Sequence, residues 1–296
     1  QLAKEDARIR YFAHPNHGVS YTRNRGIDLA GGEYLCFVDC DDTLEKNAIN
    51  TLVGIMEAED AQLAVGTIET VSKYSAIRFG FEPCVLNMET PDEKFLKFIF
   101  EVRSSSGYMA AKLYQSRIIK ENNLRFNLEI CYNEDALFTY SYLGHCRRCA
   151  VTNKVVYFYN RMNENALTGA IGATKDKRYV WETMKIRSQL DLFARAELSK
   201  DDLEYVQQSI LRQFKYMCLC YMRVSTEPEE DITRMQVCYG ELLRGTEGNE
   251  QYELLYMPAC EVLACLAAEE NARTKQTRFR RILSAIKGKF QFWKRA

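Results

Sequence analysis

The stretch Glu33 to Leu44, E-Y-L-C-F-V-D-C-D-D-T-L, constrains the rest of the chain. Tyr34 to Val38 is a short apolar run of aromatic and branched residues between Gly31-Gly32 and a carboxylate cluster, the pattern of a buried parallel strand. Asp39, Asp41 and Asp42 then fall at the strand's carboxyl end, the edge of an open α/β sheet where ligands bind. Three carboxylates within four residues repel one another unless a cation sits among them, which suggests a hard divalent metal holding a phosphate-bearing ligand. The other reading of the cluster is a solvated acidic turn that caps the next helix.

The flanking text supplies alternating elements. Ile9 to Ala13 is a strand candidate, followed by the turn residues Pro15, Asn16 and Gly18, and Ser20 can cap a helix running to about Leu29. A helix is expected from about Lys46 to Glu59 with Ile49, Leu52, Val53 and Met56 on one face, then a strand over Gln62 to Val71. That spacing argues for βαβ units and a parallel sheet. Further on, Asp92 to Phe100 reads as a helix, and Gly107 to Phe126 as an apolar segment followed by a helix holding Tyr114, Ile118 and Ile119. Asn133-Glu134-Asp135 opens another helix, and Ala150 to Tyr159 is a strand that closes the first domain. From about Thr174 the pattern changes to long helical periodicity, near 176–195, 200–224, 229–243 and 250–270. The expected division is a sheet domain over 1–170, a helical domain over 171–272 and a basic tail over 273–296.

Charge and cysteine usage narrow the class. The 40 basic and 40 acidic residues cancel, but the last 24 positions hold nine Lys/Arg and no acid, leaving 31 basic against 40 acidic residues, a balance of −9, before Arg273. An acidic body without a base-reading module argues against a nucleic-acid partner. The 11 cysteines are odd in number and sit mostly inside apolar runs, which fits a reducing compartment; Cys146 and Cys149 form a lone C-x-x-C with no second pair at zinc spacing. No apolar run reaches the roughly 18 residues of a membrane span. The sequence opens without Met, in what reads as the last turns of a helix, so a truncated N-terminus is expected.

Four segments in order carry a family resemblance. H-P-N-H-G-V-S-Y-T-R-N-R-G through D-C-D-D, Met109 to Tyr114, Asn133 to Phe138, and Val155 to Arg161 resemble the N-x-G-x-[SG]-x-A-R-N-x-G, D-x-D, W-N-K-L-Y, E-D-x-x-F and Y-x-Y-R elements of glycosyltransferase family 2. The resemblance covers about residues 9–165 and implies a GT-A (Rossmann-like) mixed sheet flanked by helices, followed by an all-helical C-terminal region. It implies an inverting, metal-dependent transferase moving a hexosyl or N-acetylhexosaminyl group from a nucleotide-diphosphate sugar, a UDP-sugar foremost, to an acceptor hydroxyl in bacterial surface-glycan synthesis. Carried over by position, Asp39 and Asp41 become the metal pair for Mg²⁺ or Mn²⁺, and Asn16, Arg23 and Asp39 the donor-binding set. Asp135 becomes the base, with Glu134 beside it; the reverse assignment of that pair stays open. Asp42 is expected to be structural. Thr22 stands where the family has Ala, Ala110-Ala111 where it has Trp-Asn, and the family's leading strand-Pro and N-D-G-S elements precede the first residue here.

Two other readings use the same residues. Asp39-Cys-Asp41-Asp42-Thr43-Leu44 also fits the D-x-D-x-T-L motif of haloacid-dehalogenase-like phosphatases, with Asp39 as nucleophile and Thr67, Lys112 and Glu134-Asp135 completing the site. The second alternative is an inactive fragment whose helical half binds a partner. In the tail, Phe279, Ile282, Leu283, Ile286, Phe290 and Trp293 share a helical face among basic residues, the pattern of an interfacial helix on anionic lipid. The implied partners are a glycan or lipid-linked acceptor and a membrane surface, and the implied location is cytoplasmic, peripheral on the inner face of the cell membrane.

Overall fold

Continuous burial, rather than alternation, marks the strands that organise the sheet, since a strand covered on both faces has no solvent side to encode. The structure is a computed structural model that describes residues 2–71, 76–100, 105–130, 133–160, 199–224, 227–243, 250–269 and 271–272. In chain order the first unit contains α1 (Leu2–Glu5), α2 (Val19–Leu29), β1 (Tyr34–Leu35), β2 (Thr43–Leu44), α3 (Ala48–Ala58), β3 (Leu63–Val71) and β4 (Arg78–Phe79). It continues with β5 (Cys84–Asn87), α4 (Glu93–Phe100), β6 (Lys112–Gln115), α5 (Ser116–Glu121), α6 (Glu134–Leu143) and β7 (Arg148–Asn160).

The sheet runs β1-β6-β3-β7-β2, with β4 added to β3 and β5 to β7. It is mixed: β3 and β7 are parallel, from Leu63↔Cys149 to Val71↔Asn160, while the other described pairs are antiparallel. The parallel setting expected for Tyr34 to Val38 is therefore corrected, because β1 pairs antiparallel with β6. Apolar continuity reports burial and carries no information on a neighbour's direction. The ladder also ends at Leu35, after which Phe37 inserts edge-on among Tyr114, Phe126 and Phe138 at 5.4 to 5.7 Å.

Between the two long strands the register shifts around Gly66 and Thr67. A Cβ on Gly66 would lie 2.3 Å from Val156 Cγ2, so only glycine lets β3 approach β7 there. Against this pair α3 lays Ala48, Leu52 and Met56, joined by Ala64, Ile68, Leu113, Val156 and Tyr157 in one core. Ile49, expected on that face, is 41% exposed; Ala48 takes the position, because the buried stripe is narrower than the apolar spacing allows.

Other expectations shift for local reasons. Ile9 to Ala13 has no ladder among the described residues, and Tyr11 is 79% exposed. Ser20 does not cap α2: Gly18, at φ +88, is the N-cap, and Ser20 is buried at the second helical position. Tyr114 lies in β6 and not in a helix, since the tyrosine packs on the sheet before the chain turns into α5. Asp92 does cap α4, accepting the Phe95 N–H at 3.0 Å.

The chain divides into two compact units, Gln1–Ile99 with Arg103–Asn160, and Phe100–Val102 with Arg161–Ala296. In the second unit α7 (Lys200–Val224) and α8 (Pro228–Leu242) are followed by a 3₁₀ turn, Glu250–Leu255, and a helix over 259–269. Their buried faces follow helical spacing: Val206, Ile210, Phe214 and Cys218 from α7, Ile232, Met235 and Tyr239 from α8. Pro228 and the acids Glu229, Glu230 and Asp231 give α8 a start suited to its dipole. Gln236 then donates to the carbonyls of Leu254 and Met257 at 3.0 and 2.8 Å, tying the 3₁₀ segment to α8. The helix expected near 176–195 and the tail over 273–296 lie outside the described residues.

Candidate active site

The two acidic motifs of the sequence meet through one arginine. Arg23 stands one turn into α2, held low against the protein at 13% side-chain exposure. Its Nη1 donates to Glu134 Oε1 at 2.6 Å and its Nη2 to Asp39 Oδ1 at 3.2 Å. The guanidinium lies 5.3 Å over the ring of Phe126, which in turn stacks on Phe138 at 4.2 Å. The next residue, Asn24, grips the backbone of Phe126 in both directions, donating to its carbonyl and accepting its N–H at 2.8 Å each. Arg23-Asn24 thus orders the ring and uses it as a platform.

The carboxylate cluster sits on a tight turn. The Asp42 N–H bonds the Asp39 carbonyl at 3.1 Å, Cys40 and Asp41 are exposed at the tip, and the chain re-enters the sheet as β2. Asp42 is committed: Oδ2 accepts the Tyr157 hydroxyl at 2.7 Å and Oδ1 the Asn160 N–H at 2.8 Å. It binds the end of β7 and caps no helix; Asn47 stands at the N-cap of α3. Burial raises its carboxyl above the usual range, with the Asn160 and Tyr157 bonds opposing. Asp39 is 43% exposed, and Asp41 has no side-chain hydrogen bond or ion pair among the described residues.

Glu134 and Asp135 form the first turn of α6, entered from Asn133 in the left-handed conformation at φ +60, which Asn tolerates better than most residues. Asp135 Oδ1 accepts the N–H of Ala136 at 2.8 Å. Burial foremost, then the charge of Glu134, pushes the Asp135 carboxyl up to about 6, against the pull of Arg23, the Ala136 N–H and Lys112. Lys112, in β6, is wholly buried; its ammonium donates to the carbonyls of Ser105, at 2.5 Å, and Tyr108. Burial pulls it down to about 7, countered by Cys149 and Asp135.

The structure therefore brings Arg23, Asp39 and Glu134 into direct contact, with Asp135 following Glu134 in the chain and Asp41 on the same turn as Asp39. Asn16 is not bonded to this group: its side-chain oxygen accepts the Gly18 N–H at 3.0 Å and closes the loop before α2. Sequence reading missed Phe126, Tyr157 and the Asn24 clasp. Tyr157 and Asn160 fell inside a recognised segment, but nothing in a Y-F-Y-N strand end says which hydroxyl or amide turns back toward an aspartate. Thr67 is buried in β3, Lys112 is spent on backbone carbonyls, and neither is bonded to Asp39. Cys146 and Cys149 are buried free thiols with pKa values raised by burial, which leaves them protonated.

Among the described residues no three His, Cys, Asp or Glu side chains converge as a closed metal cage. Asp39 and Asp41 do fit an open one. Magnesium-type ions are commonly held by one or two carboxylates and complete their shell with water and substrate phosphate oxygens.

Residues 1–113 match the profile of Glycosyl transferase family 2. A Bacillus subtilis protein, the uncharacterized glycosyltransferase EpsJ, is 33% identical over 171 residues, covering 56% of this chain and 48% of its own. The Campylobacter jejuni GalNAc(5)-diNAcBac-PP-undecaprenol beta-1,3-glucosyltransferase is 28% identical over 182 residues, 61% of this chain and 55% of its own. The chain thus spans about half the length of the curated relatives it matches. Among solved structures, S. aureus TarS 1-349 in complex with UDP-GlcNAc superposes with a TM-score of 0.60 at 16% identity, over 88% of this chain and 73% of that one, a likeness of fold. The family profile over residues 1–113, the partial relatives and a GT-A-like mixed sheet thus agree in making this chain similar to glycosyl transferase family 2.

Proposed function

We propose that this protein is an inverting, divalent-metal-dependent glycosyltransferase that moves a hexosyl or N-acetylhexosaminyl group from a UDP-sugar to a hydroxyl of a glycan or lipid-linked acceptor. The observation that carries this is the Arg23 bridge, which holds the D-C-D-D turn and the Glu134-Asp135 helix start within the span of one guanidinium. A phosphate-side group and a base are then neighbours, as in-line displacement requires. The UDP-GlcNAc complex of the TarS neighbour and the undecaprenol-linked substrate named for the Campylobacter relative support the donor and acceptor classes.

Each residue has a task. Asp39 and Asp41 would hold Mg²⁺ or Mn²⁺; when bound, the ion offsets negative charge on the diphosphate leaving group. Asp135, ionised above about 6, takes the proton from the acceptor hydroxyl as that oxygen attacks the anomeric carbon and the diphosphate departs. Glu134 holds Arg23 through Nη1, and Nη2 offers the diphosphate a charged donor if it exchanges Asp39 for a phosphate oxygen. The division at 1–170, 171–272 and 273–296, and a cytoplasmic site on the inner membrane face through the basic tail, complete the reading; no helix among the described residues is long and apolar enough to cross a membrane.

The test is nucleotide release. Incubated with UDP-sugars, an acceptor extract and Mn²⁺, the chain should release UDP, and Asp41→Asn should lower the rate by about 10³-fold. A phosphoryl group trapped on Asp39 would overturn the reading in favour of a phosphatase. Absence of any UDP binding with Mn²⁺ present would overturn it in favour of a non-catalytic protein.

A further inference from the structure

Tyr157 belongs to the core by burial, at 1% exposure, yet its hydroxyl reaches the carboxylate turn. It donates to Asp42 Oδ2 at 2.7 Å and accepts the backbone N–H of Asp39 at 3.1 Å, so one oxygen links the first and last residues of the turn. The other Asp42 oxygen takes the Asn160 N–H at 2.8 Å. The turn is clamped further by the β2–β7 pairing of Thr43 with Phe158 and Leu44 with Tyr157, and by Glu45 N–H to Val156 O at 2.9 Å. All these partners lie on β7, which is itself fixed along β3.

The division of labour follows from this arrangement. Both Asp42 oxygens are occupied by donors that a cation cannot replace without opening the strand end, whereas Asp41 has no side-chain partner among the described residues and Asp39 is bonded through one oxygen to Arg23. We propose that Tyr157 is a positioning residue for the metal: through Asp42 and the Asp39 amide it closes the turn so that Asp39 and Asp41 are available as ligands while Asp42 is withheld. The inference rests on the reading of Asp39 and Asp41 as the cation's ligands. Groups that orient metal ligands from behind typically change metal affinity by about 10- to 100-fold when removed.

The same sheet supplies a control. Tyr142, also fully buried, donates to Gln62 O at 2.7 Å and accepts the Gln115 N–H at 2.9 Å, so its hydroxyl does equivalent backbone work away from the turn. Free Mn²⁺ would be followed by electron paramagnetic resonance with UDP present, in the full chain and in Tyr157→Phe and Tyr142→Phe, alongside thermal unfolding. The expected result is an about tenfold weaker Mn²⁺ affinity in Tyr157→Phe only, with a similar loss of thermal stability in both variants. Unchanged affinity in Tyr157→Phe, or equal weakening in Tyr142→Phe, overturns the proposal. If Tyr157→Phe does not fold, Asp42→Asn carries the test: it should weaken Mn²⁺ less than Asp41→Asn does, and equality with Asp41→Asn, or no change, overturns the proposal. Absence of Mn²⁺ binding by the unsubstituted chain is a separate outcome that removes the metal reading itself and the proposal with it.

Discussion

The turn over Asp39–Asp42 and the helix start over Asn133–Asp135 are both short acidic clusters, and their surroundings give them opposite chemistry. In the turn, the half-buried Asp42 carboxylate is held by hydroxyl and amide donors and the two others stay wet. At the helix start, Glu134 takes Arg23, and Asp135 is left with a raised affinity for protons. Exposure suits cation binding, since an ionised carboxylate is required at every working pH. Burial suits a base, whose proton affinity must lie near neutrality to be useful. On the proposed reading, what would separate a ligand from a base is the company each aspartate keeps.

Replacing the base should separate the clusters most sharply. Asp135→Asn should lower the transfer rate by about 10³-fold while leaving Mn²⁺ and UDP affinity unchanged, whereas Asp41→Asn should lose both. A carboxyl whose pKa is raised by folding favours the native state when protonated and loses that benefit as pH rises through the unfolded and folded values. Asp135→Asn should therefore melt a few degrees higher than the parent at pH 7.5 and no higher at pH 4. An unchanged melting temperature at both pH values would show that Asp135 is better solvated than its neighbours imply.

Removing the bridge comes next. Arg23→Leu leaves Glu134 and Asp39 without their common partner, a loss of about 2 kcal/mol once the exposure of Asp39 is taken into account. Thermal or urea unfolding measures it. The same substitution removes a cation that lowers the Asp135 pKa, so the acid limb of activity should move to higher pH. In the parent, kcat/KM should rise about tenfold per pH unit up to about 6 and flatten above it. Lys112→Met should be milder, about 1 kcal/mol from the lost ammonium bonds to the Ser105 and Tyr108 carbonyls, with a smaller shift of that limb in the same direction. Smallest of all, Ile49→Lys should stay within about 0.5 kcal/mol, since the side chain is largely outside the core.

Much of this comparison was legible in the chain. Both clusters and the helix that opens at Glu134 follow from residue type and spacing, because carboxylates, turn residues and apolar periodicity are local signals; Arg23 is marked only by the family resemblance, as a donor-binding residue, and its bridge to Glu134 is not. Pairing is not local. The antiparallel partner of Tyr34, the strand state of Tyr114 and the lack of a ladder at Ile9 to Ala13 are decided by segments far away in sequence. The same limit hid the supporting residues. Phe126 beneath Arg23 and Tyr157 behind Asp42 act across more than a hundred positions, and an apolar or aromatic residue in a strand or loop looks the same whether it fills space or orients a site. Ile49 shows the converse: a helical stripe can be read correctly and still be one residue too wide.

The clamp on Asp42 also sets an order of events during synthesis. Its donors, Tyr157 and Asn160, leave the ribosome more than a hundred residues after the aspartate they hold, and the parallel strand beside them must first find β3 across a similar separation. A nascent chain shorter than Asn160 thus lacks a finished turn although Asp39, Asp41 and Asp42 are all present. If the turn holds the proposed cation, competence for it would arrive with β7, the last strand of the sheet among the described residues, and a product terminated before Asn160 would then bind donor nucleotide more weakly than the full chain.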